Sequence, residues 1–275
     1  MTFMNKNRII INGKYKQSLY IIKREKTKHI KTKFYLIIIL SGGLSMLISS
    51  CFKQQSTGGV FVLGGIHQSH EKAKYYTYER MGKIYKQLKP DILCIETQQK
   101  YVDDDSYKGT PFDFEKFMIP LAKENKTPIY GIDWWDNEKG KKWQEIQQKA
   151  FNDTSLIPEI KLLGGMFSLF DEYFENKDFE DINSQYITNL WKAKNEFKYH
   201  IFSQHPKYKF IAEFENERNN HIVNNILKIV KENPNKKILV AIGIDHKYYI
   251  EKELEKHGIK VYQVDDIEDF KNNGV

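Results

Sequence analysis

The sequence predicts an α/β fold, a central and mostly parallel sheet flanked by helices, with a helical insertion between the third and fourth strands. Short apolar runs alternate with stretches whose apolar residues recur every three or four positions. This strand–helix alternation is typical of a parallel sheet with helices on both faces. The alternation stops over about residues 137–206, which are aromatic-rich and lack clear strand patterns. We expect this insertion to cover a site at the edge of the sheet.

The first elements follow from short local signals. The run GVFVLGG at Gly59–Gly65 is apolar and ends in glycine, which predicts a buried strand. Ser69 is a candidate N-cap for a helix over about 71–88, where apolar residues are spaced by three and four. Pro90 ends that helix, and the apolar run Ile92–Ile95 predicts the second strand.

The later elements continue the alternation. Apolar residues on one face predict a helix over 112–125, and TPIYGI at Thr127–Ile132 predicts the third strand. A long helix is expected over 207–233, where Pro234 stops it. The remaining expected elements are the strongly apolar strand Lys237–Gly243, a helix over 248–257 closed by Gly258 as a C-cap, and a last strand at Ile259–Val264.

The net charge of +7 is unevenly distributed along the chain. Residues 1–33 hold ten Lys/Arg and one Glu, residues 34–50 hold no charge, and residues 51–275 hold 33 Lys/Arg against 35 Asp/Glu. A nucleic-acid-binding domain needs a basic face on its folded part. The basicity belongs to the N-terminal region instead, so we expect no nucleic-acid partner.

The N-terminal region has the pattern of an export signal. A basic stretch precedes the apolar run 34–50, and the small residues Ser49 and Ser50 precede Cys51. This resembles a bacterial lipobox, which implies an exported lipoprotein anchored in a membrane of the cell envelope through a lipid, such as palmitate, on Cys51. The alternative is an uncleaved transmembrane anchor, although 17 uncharged residues are at the lower end of the length required to span a bilayer.

These signals give a simple division of the chain. We expect a signal and lipoprotein leader at 1–51, a polar tether at 52–58 and a single α/β domain at 59–270. Cys94, in the apolar run DILCIE, is expected to be a small buried hydrophobic residue without a disulfide partner.

Candidate catalytic residues lie at the expected ends of four strands. His67 follows the first strand in the sequence GGIH, and His246 follows the fourth in GIDH. Glu96 follows the second strand and Asp133 the third. Ligands of open parallel sheets bind outside the carboxyl ends of the strands, so these side chains should converge.

Converging imidazoles and carboxylates can bind a divalent metal or activate a water molecule. We expect glycine in each G-x-x-H pattern to let the backbone turn sharply out of the sheet. Burial at the end of an apolar strand should raise the pKa of Glu96. Asp245 is expected to orient one of the two histidines, and His70 to support the site from behind.

The same residues carry a resemblance to a known superfamily. FVLGGIHQSH, PDILCIET, FENERNNHIVNNI and KKILVAIGIDHKYYIEKELEKHGIKV, in this order, resemble the TraB/Tiki/erythromycin-esterase superfamily over about residues 59–265. The resemblance implies a site of His67, Glu96, Arg218 and His246. Arg218 enters only through this resemblance, which implies that it binds a substrate carboxylate or stabilises an oxyanion.

The resemblance implies a hydrolase but leaves its mechanism open. Tiki-type members are metal-dependent proteases, which would make His67, Glu96 and His246, with Asp133 as a further candidate, ligands of manganese, cobalt, zinc or iron. Erythromycin-esterase members use the corresponding His and Glu to activate water without metal. The substrate could therefore be a peptide or an ester.

A second hypothesis is a binding lipoprotein without catalysis. Some relatives of this fold are haem-binding lipoproteins, and His and Tyr side chains near the sheet edge could be haem ligands. Nucleotide-binding motifs of the P-loop and dinucleotide types are absent from the sequence, as is the G-x-S-x-G motif of serine hydrolases.

Overall fold

The computed structural model describes residues 58–272 and confirms the predicted fold class. A five-stranded, all-parallel sheet has the strand order β3-β2-β4-β1-β5. Residues 1–57, which include the expected leader, Cys51 and nearly all of the tether, lie outside the described residues. The strands are β1 Gly59–Gly65, β2 Ile92–Ile95, β3 Ile129–Gly131, β4 Lys237–Gly243 and β5 Val261–Tyr262.

Helices cover both faces of the sheet and form the insertion. Four of them, α5 to α8, lie between β3 and α9, where the sequence predicts the helical insertion. The helices are α1 Tyr78–Leu88, α2 Gln99–Asp103, α3 Phe112–Phe117, α4 Ile119–Glu124, α5 Asn137–Phe151, α6 Ile157–Glu175, α7 Phe179–Ile182, α8 Gln185–Ser203, α9 Lys209–Glu232, α10 Ile244–Lys256 and α11 Ile267–Asn272.

The sheet is buried on both faces, which explains why its strands are continuous apolar runs. Successive residues of β1 enter different cores, because side chains alternate across a strand. Phe61 and Leu63 join the core formed with α1, α3 and α6, whereas Val60 and Val62 join the core formed with α9 and α10. Cys94 is fully buried, as predicted.

The first expected helix starts later than the sequence suggests. Ser69 lies in a 3-10 turn, and the helix begins at Tyr78 with Thr77 as its N-cap. The reason is Tyr76, whose fully buried ring lies against the core and whose hydroxyl donates to the carbonyl oxygen of Gly64 at 3.1 Å. The segment between the 3-10 turn and Tyr78 is therefore not helical, because Tyr76 within it is directed into the core.

Two further boundaries differ from expectation. The helix expected over 112–125 is divided at Met118, because Pro120 at the start of α4 has no N–H to donate. The helix after β4 begins at Ile244 rather than Tyr248, so it follows the strand directly. His246 therefore lies in the first turn of α10. Gly258 has φ +73°, which confirms its C-cap position.

Within residues 58–272, none of the helices is both long enough and apolar enough to cross a membrane.

Candidate active site

The strand order places the four candidate residues side by side along one edge of the sheet. Asp133 follows β3, Glu96 follows β2, His246 follows β4 and His67 follows β1, and these strands are neighbours in that order. The two oxygens of the Glu96 carboxylate face different imidazoles. Oε1 is 3.8 Å from Nε2 of His246, and Oε2 is 3.8 Å from Nε2 of His67.

Arg218, on α9, contacts three of these four side chains. Its Nε donates to Asp133 Oδ1 at 2.7 Å, and one terminal nitrogen donates to Glu96 Oε1 at 2.9 Å. Its other terminal nitrogen is 3.3 Å from His246 Nε2. The guanidinium also lies 5.6 Å from the centre of the Trp135 ring, within cation–π range.

The hydrogen-bond partners of His246 determine its tautomer. Its Nδ1 is 2.6 Å from Oδ1 of Asn219, whereas its Nε2 faces Arg218, which can only donate. Nδ1 therefore carries the proton, and Nε2 is an acceptor. Burial lowers the pKa of His246, and the charge of Arg218 lowers it further. We therefore treat it as a neutral imidazole.

His67 is held differently and remains accessible. Its Nδ1 lies 3.2 and 3.3 Å from the two carboxylate oxygens of Asp113, which is fully buried on α3. Its side chain is 40% exposed, and its Nε2 faces Glu96. Its φ of +49° is in the left-handed region, which is uncommon for a residue other than glycine.

The surroundings of His67 make it a stronger base. Burial alone would lower the pKa of the imidazole, but hydrogen bonding to Asp113 and the negative charges of Glu96 and Asp113 raise it above its ordinary 6.5. Asp113 stays ionised, because the imidazoles of His67 and His70 outweigh burial and hold the pKa of its carboxyl far below the usual range. The pair is a carboxylate–imidazole dyad.

His70 lies behind this dyad, as its expected supporting role requires. It is buried, with Nδ1 donating to the carbonyl oxygen of Tyr76 at 2.6 Å. Its Nε2 lies 3.3 Å from the backbone nitrogen of Ile66 and 3.5 Å from an oxygen of Asp113. His70 thereby links the Asp113 carboxylate to the backbone on both sides of His67.

The role expected for Asp245 needs correction. Its carboxylate does not contact either imidazole, because it forms an ion pair with Lys194, whose Nζ donates to Asp245 Oδ1 at 2.5 Å. The side-chain nitrogen of Asn195 donates to the backbone oxygen of Asp245 at 3.0 Å. Burial would raise the pKa of Asp245, but Lys194 lowers it to about 2. Asn219, rather than Asp245, orients His246.

The pKa expected for Glu96 is also wrong in direction. Burial would raise it, as predicted from the apolar strand. The charge of Arg218 and, after it, the neighbouring imidazoles of His246 and His67 and the N–H of Gly243 outweigh burial and lower the pKa of Glu96. Glu96 is therefore a fixed anion.

The glycines of the G-x-x-H patterns are needed for space rather than for a special turn. Gly243 has φ −55°, which any residue can adopt. A Cβ at Gly243 would lie 2.6 Å from His67 Nε2, and one at Gly64 would lie 3.1 Å from the side chain of Ile244. A Cβ at Gly65, next to Gly64, would lie 2.7 Å from Asp113 Oδ2. These glycines let the strand ends approach the candidate side chains closely.

The resemblance implies that His67, Glu96, His246 and Asp133 could be metal ligands. In this structure they do not form a metal-binding group. Among residues 58–272, there is no group of three or more His, Cys, Asp or Glu side chains placed to hold a metal ion. The guanidinium of Arg218 lies where the donor atoms of Glu96, Asp133 and His246 converge.

Sequence reasoning missed two residues of the site. Asp113 is 46 positions from His67 and stands at the start of a helix, where an acidic residue is ordinary. Asn219 follows Arg218 directly in a polar stretch. Neither position carries a local signal, because each partner is chosen by packing between distant elements.

The adjacent tryptophans have different surroundings. Trp134 stacks on His221 with ring centres 4.3 Å apart. Trp135 packs edge to face on Phe214 beside Arg218. Only Trp135 of the two therefore borders the guanidinium.

Comparisons with known proteins add no relative to this geometry. Neither a family model, nor a curated protein, nor a solved structure matches the chain.

Proposed function

We propose that this chain is a hydrolase of the TraB/Tiki/erythromycin-esterase-like type, exported and anchored to a membrane through a lipid on Cys51. We further propose that it activates water without a metal ion. The observation that carries the proposal is the His67 side chain, which is held at Nδ1 by buried Asp113, has Nε2 3.8 Å from Glu96 and is 40% exposed. This is the geometry of a general base whose tautomer is fixed by a carboxylate.

The proposed reaction balances with this chain's residues, a water molecule and the substrate. Nε2 of His67 removes a proton from water while the water oxygen bonds to the carbonyl carbon of an ester or amide. The tetrahedral intermediate then loses its alcohol or amine, and protonated His67 returns the proton to that leaving group. The products are a carboxylic acid and the alcohol or amine.

Arg218 is the proposed stabiliser of the intermediate. A developing oxyanion needs fixed donors, and this guanidinium is held in place by two carboxylates before substrate arrives. Glu96 has a second effect, because its permanent negative charge near Nε2 raises the basicity of His67. His246 supplies a neutral contact that completes the positioning of Arg218.

The metal-free mechanism is favoured over the metal-dependent one by the same contacts. A divalent cation near Glu96 would lie beside the guanidinium charge, and His246 directs its free lone pair at Arg218. Both interactions disfavour metal binding. The carboxylate–imidazole dyad provides water activation by itself.

The test is hydrolysis by the full-length chain, purified in detergent, of a panel of esters and a peptide library. We expect turnover that survives dialysis against EDTA and that falls at least about 100-fold in His67→Ala and Glu96→Gln. His200→Ala, which changes an exposed histidine on α8, should keep full activity. Full activity in both site variants would refute the proposed site.

Dependence on metal is read from the same preparation. Activity that disappears with EDTA and returns with manganese, cobalt, zinc or iron would refute the metal-free mechanism while leaving the hydrolase assignment intact. Elemental analysis of wild type and a His67→Ala/His246→Ala variant gives the second readout, and we expect no site-dependent metal in either.

A further inference from the structure

A pocket of about 240 Å³ lies next to the proposed active site. Arg218 and His246 line it, and helices α5, α6, α8 and α9 supply most of its wall. The wall is dominated by aromatic rings. They are Trp135, Trp143, Phe151, Phe167, Tyr199 and Phe214.

Part of this wall is a preformed aromatic cluster. Trp135 packs edge to face on Trp143 and on Phe214, at interplanar angles of 84° and 86°. Gly140 makes room for the indole of Trp135, because a Cβ at that position would lie 2.4 Å from the ring. Edge-to-face contacts of this kind are favourable beyond their buried area, so the cluster holds its shape.

The pocket presents paired rather than free charges. Lys198 is 2.5 Å from Glu215, and Asp245 is 2.5 Å from Lys194. Arg218 is held by the two carboxylates already described. The N–H groups of Arg218 that these contacts leave over are assigned to the oxyanion in the proposed reaction. A charged group bound elsewhere in the pocket would lose water without gaining an available counter-charge, so the pocket favours an uncharged group.

The size of the pocket suits a ring. A cavity of about 150 Å³ holds benzene, and this pocket of about 240 Å³ has room for one aromatic ring with a few additional atoms. An aromatic ring fits the walls because its edges and faces can repeat the edge-to-face contacts seen among them.

We infer that this pocket binds an uncharged aromatic group of the substrate, directly beside the bond that is hydrolysed. The inference rests on the proposed function. It follows from position, because His246 in the pocket wall and His67 lie 3.8 Å from different oxygens of the same Glu96 carboxylate. A ring bound in the pocket would leave the adjacent carbonyl group at Arg218 and near the base.

The test compares ethyl esters that share one small, non-aromatic leaving group. Acid release from ethyl phenylacetate, ethyl cyclohexylacetate, ethyl acetate and ethyl 4-carboxyphenylacetate is followed by pH-stat with the full-length protein in detergent. We expect kcat/KM for the phenylacetate to exceed that for the acetate roughly 10- to 100-fold. The carboxylated ring should lose this advantage, and the cyclohexyl ester should fall between.

Three variants connect the preference to the pocket. Gln147→Trp adds a ring inside the lining and should remove the preference while keeping ethyl acetate hydrolysis. Phe167→Ala, at a ring 36% exposed and therefore tolerant of truncation, should reduce the preference. Leu169→Ala, on the same helix but 69% exposed and outside this lining, is the matched control and should leave it unchanged.

Equal kcat/KM for the phenylacetate and the acetate would overturn the inference and leave the hydrolase proposal standing. A preference that both pocket variants retain would also overturn it. If the protein hydrolyses none of these four esters, the pocket is tested by calorimetric binding of phenylacetamide and acetamide to the His67→Ala protein, while the proposed function is judged by the wider ester panel and the peptide library. Preferential binding of phenylacetamide, lost in Gln147→Trp, supports an aromatic site, whereas equal binding refutes it.

Discussion

Adding one methyl group at Gly243 should separate catalysis from folding. A Cβ built there lies 2.6 Å from His67 Nε2, whereas an ordinary contact begins at 3.4 Å. The imidazole must therefore retreat by about 0.8 Å, the difference between these distances. Misplacement of a reacting group by about 1 Å can cost about 100-fold in rate. We expect kcat/KM of Gly243→Ala to fall by about two orders of magnitude.

The stability of the same variant should change little. The atom closest to the new methyl group is the tip of a side chain that is 40% exposed, so it can move, and Glu96 Oε2, at 3.3 Å, needs to shift by only about 0.1 Å. Gly243 has φ −55° and ψ 139°, which alanine adopts without strain. Overpacking costs about 1–3 kcal/mol where the surroundings are rigid, so we expect a smaller loss in the free energy of unfolding, measured by urea denaturation.

Two other glycines provide the controls. Gly65→Ala places its Cβ 2.7 Å from Asp113 and 2.8 Å from Phe114, both fully buried, so it should destabilise the fold strongly. Gly164→Ala meets nothing within 4 Å on helix α6 and should raise stability by about 0.5–1 kcal/mol. Wild-type activity in Gly243→Ala would show that the imidazole need not occupy this position, which would refute the proposed role of His67.

Three further predictions address the charges of the site and the anchor. His67 must be unprotonated to act as a base and its pKa is raised, so kcat/KM should increase with pH through a midpoint above 6.5. Asp113→Asn removes a charge that raises this pKa and should move the midpoint to lower pH. A midpoint that stays in place would contradict the pairing of His67 with Asp113. Arg218→Met leaves buried Glu96 and partly buried Asp133 without their guanidinium partner, so urea denaturation at neutral pH should show a loss of about 3–5 kcal/mol, smaller in acid. An unchanged stability would contradict the pairing. Cys51→Ala should abolish incorporation of labelled palmitate and release the protein from membranes without changing its kcat/KM, and retained labelling would contradict the lipobox interpretation.

Much of the site could be predicted because of how parallel sheets are built. His67, Glu96, Asp133 and His246 each follow an apolar run, and the carboxyl ends of parallel strands meet at one edge. This reasoning needs only the strand boundaries, and those predicted for Gly59–Gly65, Ile92–Ile95 and Lys237–Gly243 agree with the structure. Arg218 required the family resemblance, because its helix pattern alone indicates an exposed charged face.

The partners of these residues could not be predicted in the same way. His67 depends on Asp113 from α3 and His246 on Asn219 from α9, so each pairing is made between separate elements. The direction of the Glu96 pKa depends on whether burial or the Arg218 charge is larger. A strand pattern reports burial but not the position of a guanidinium from a helix more than a hundred residues later.

The sequence by itself determined the α/β class, the helical insertion and the edge at which the polar side chains meet, since apolar periodicity and strand direction are local properties. The tertiary structure decided what that edge can do chemically. It set the space beside Gly243, the pairing of Asp113 with His67 and the place of Arg218 among the acids. These properties depend on distances between elements far apart in the chain, and such distances are fixed only when the two cores pack.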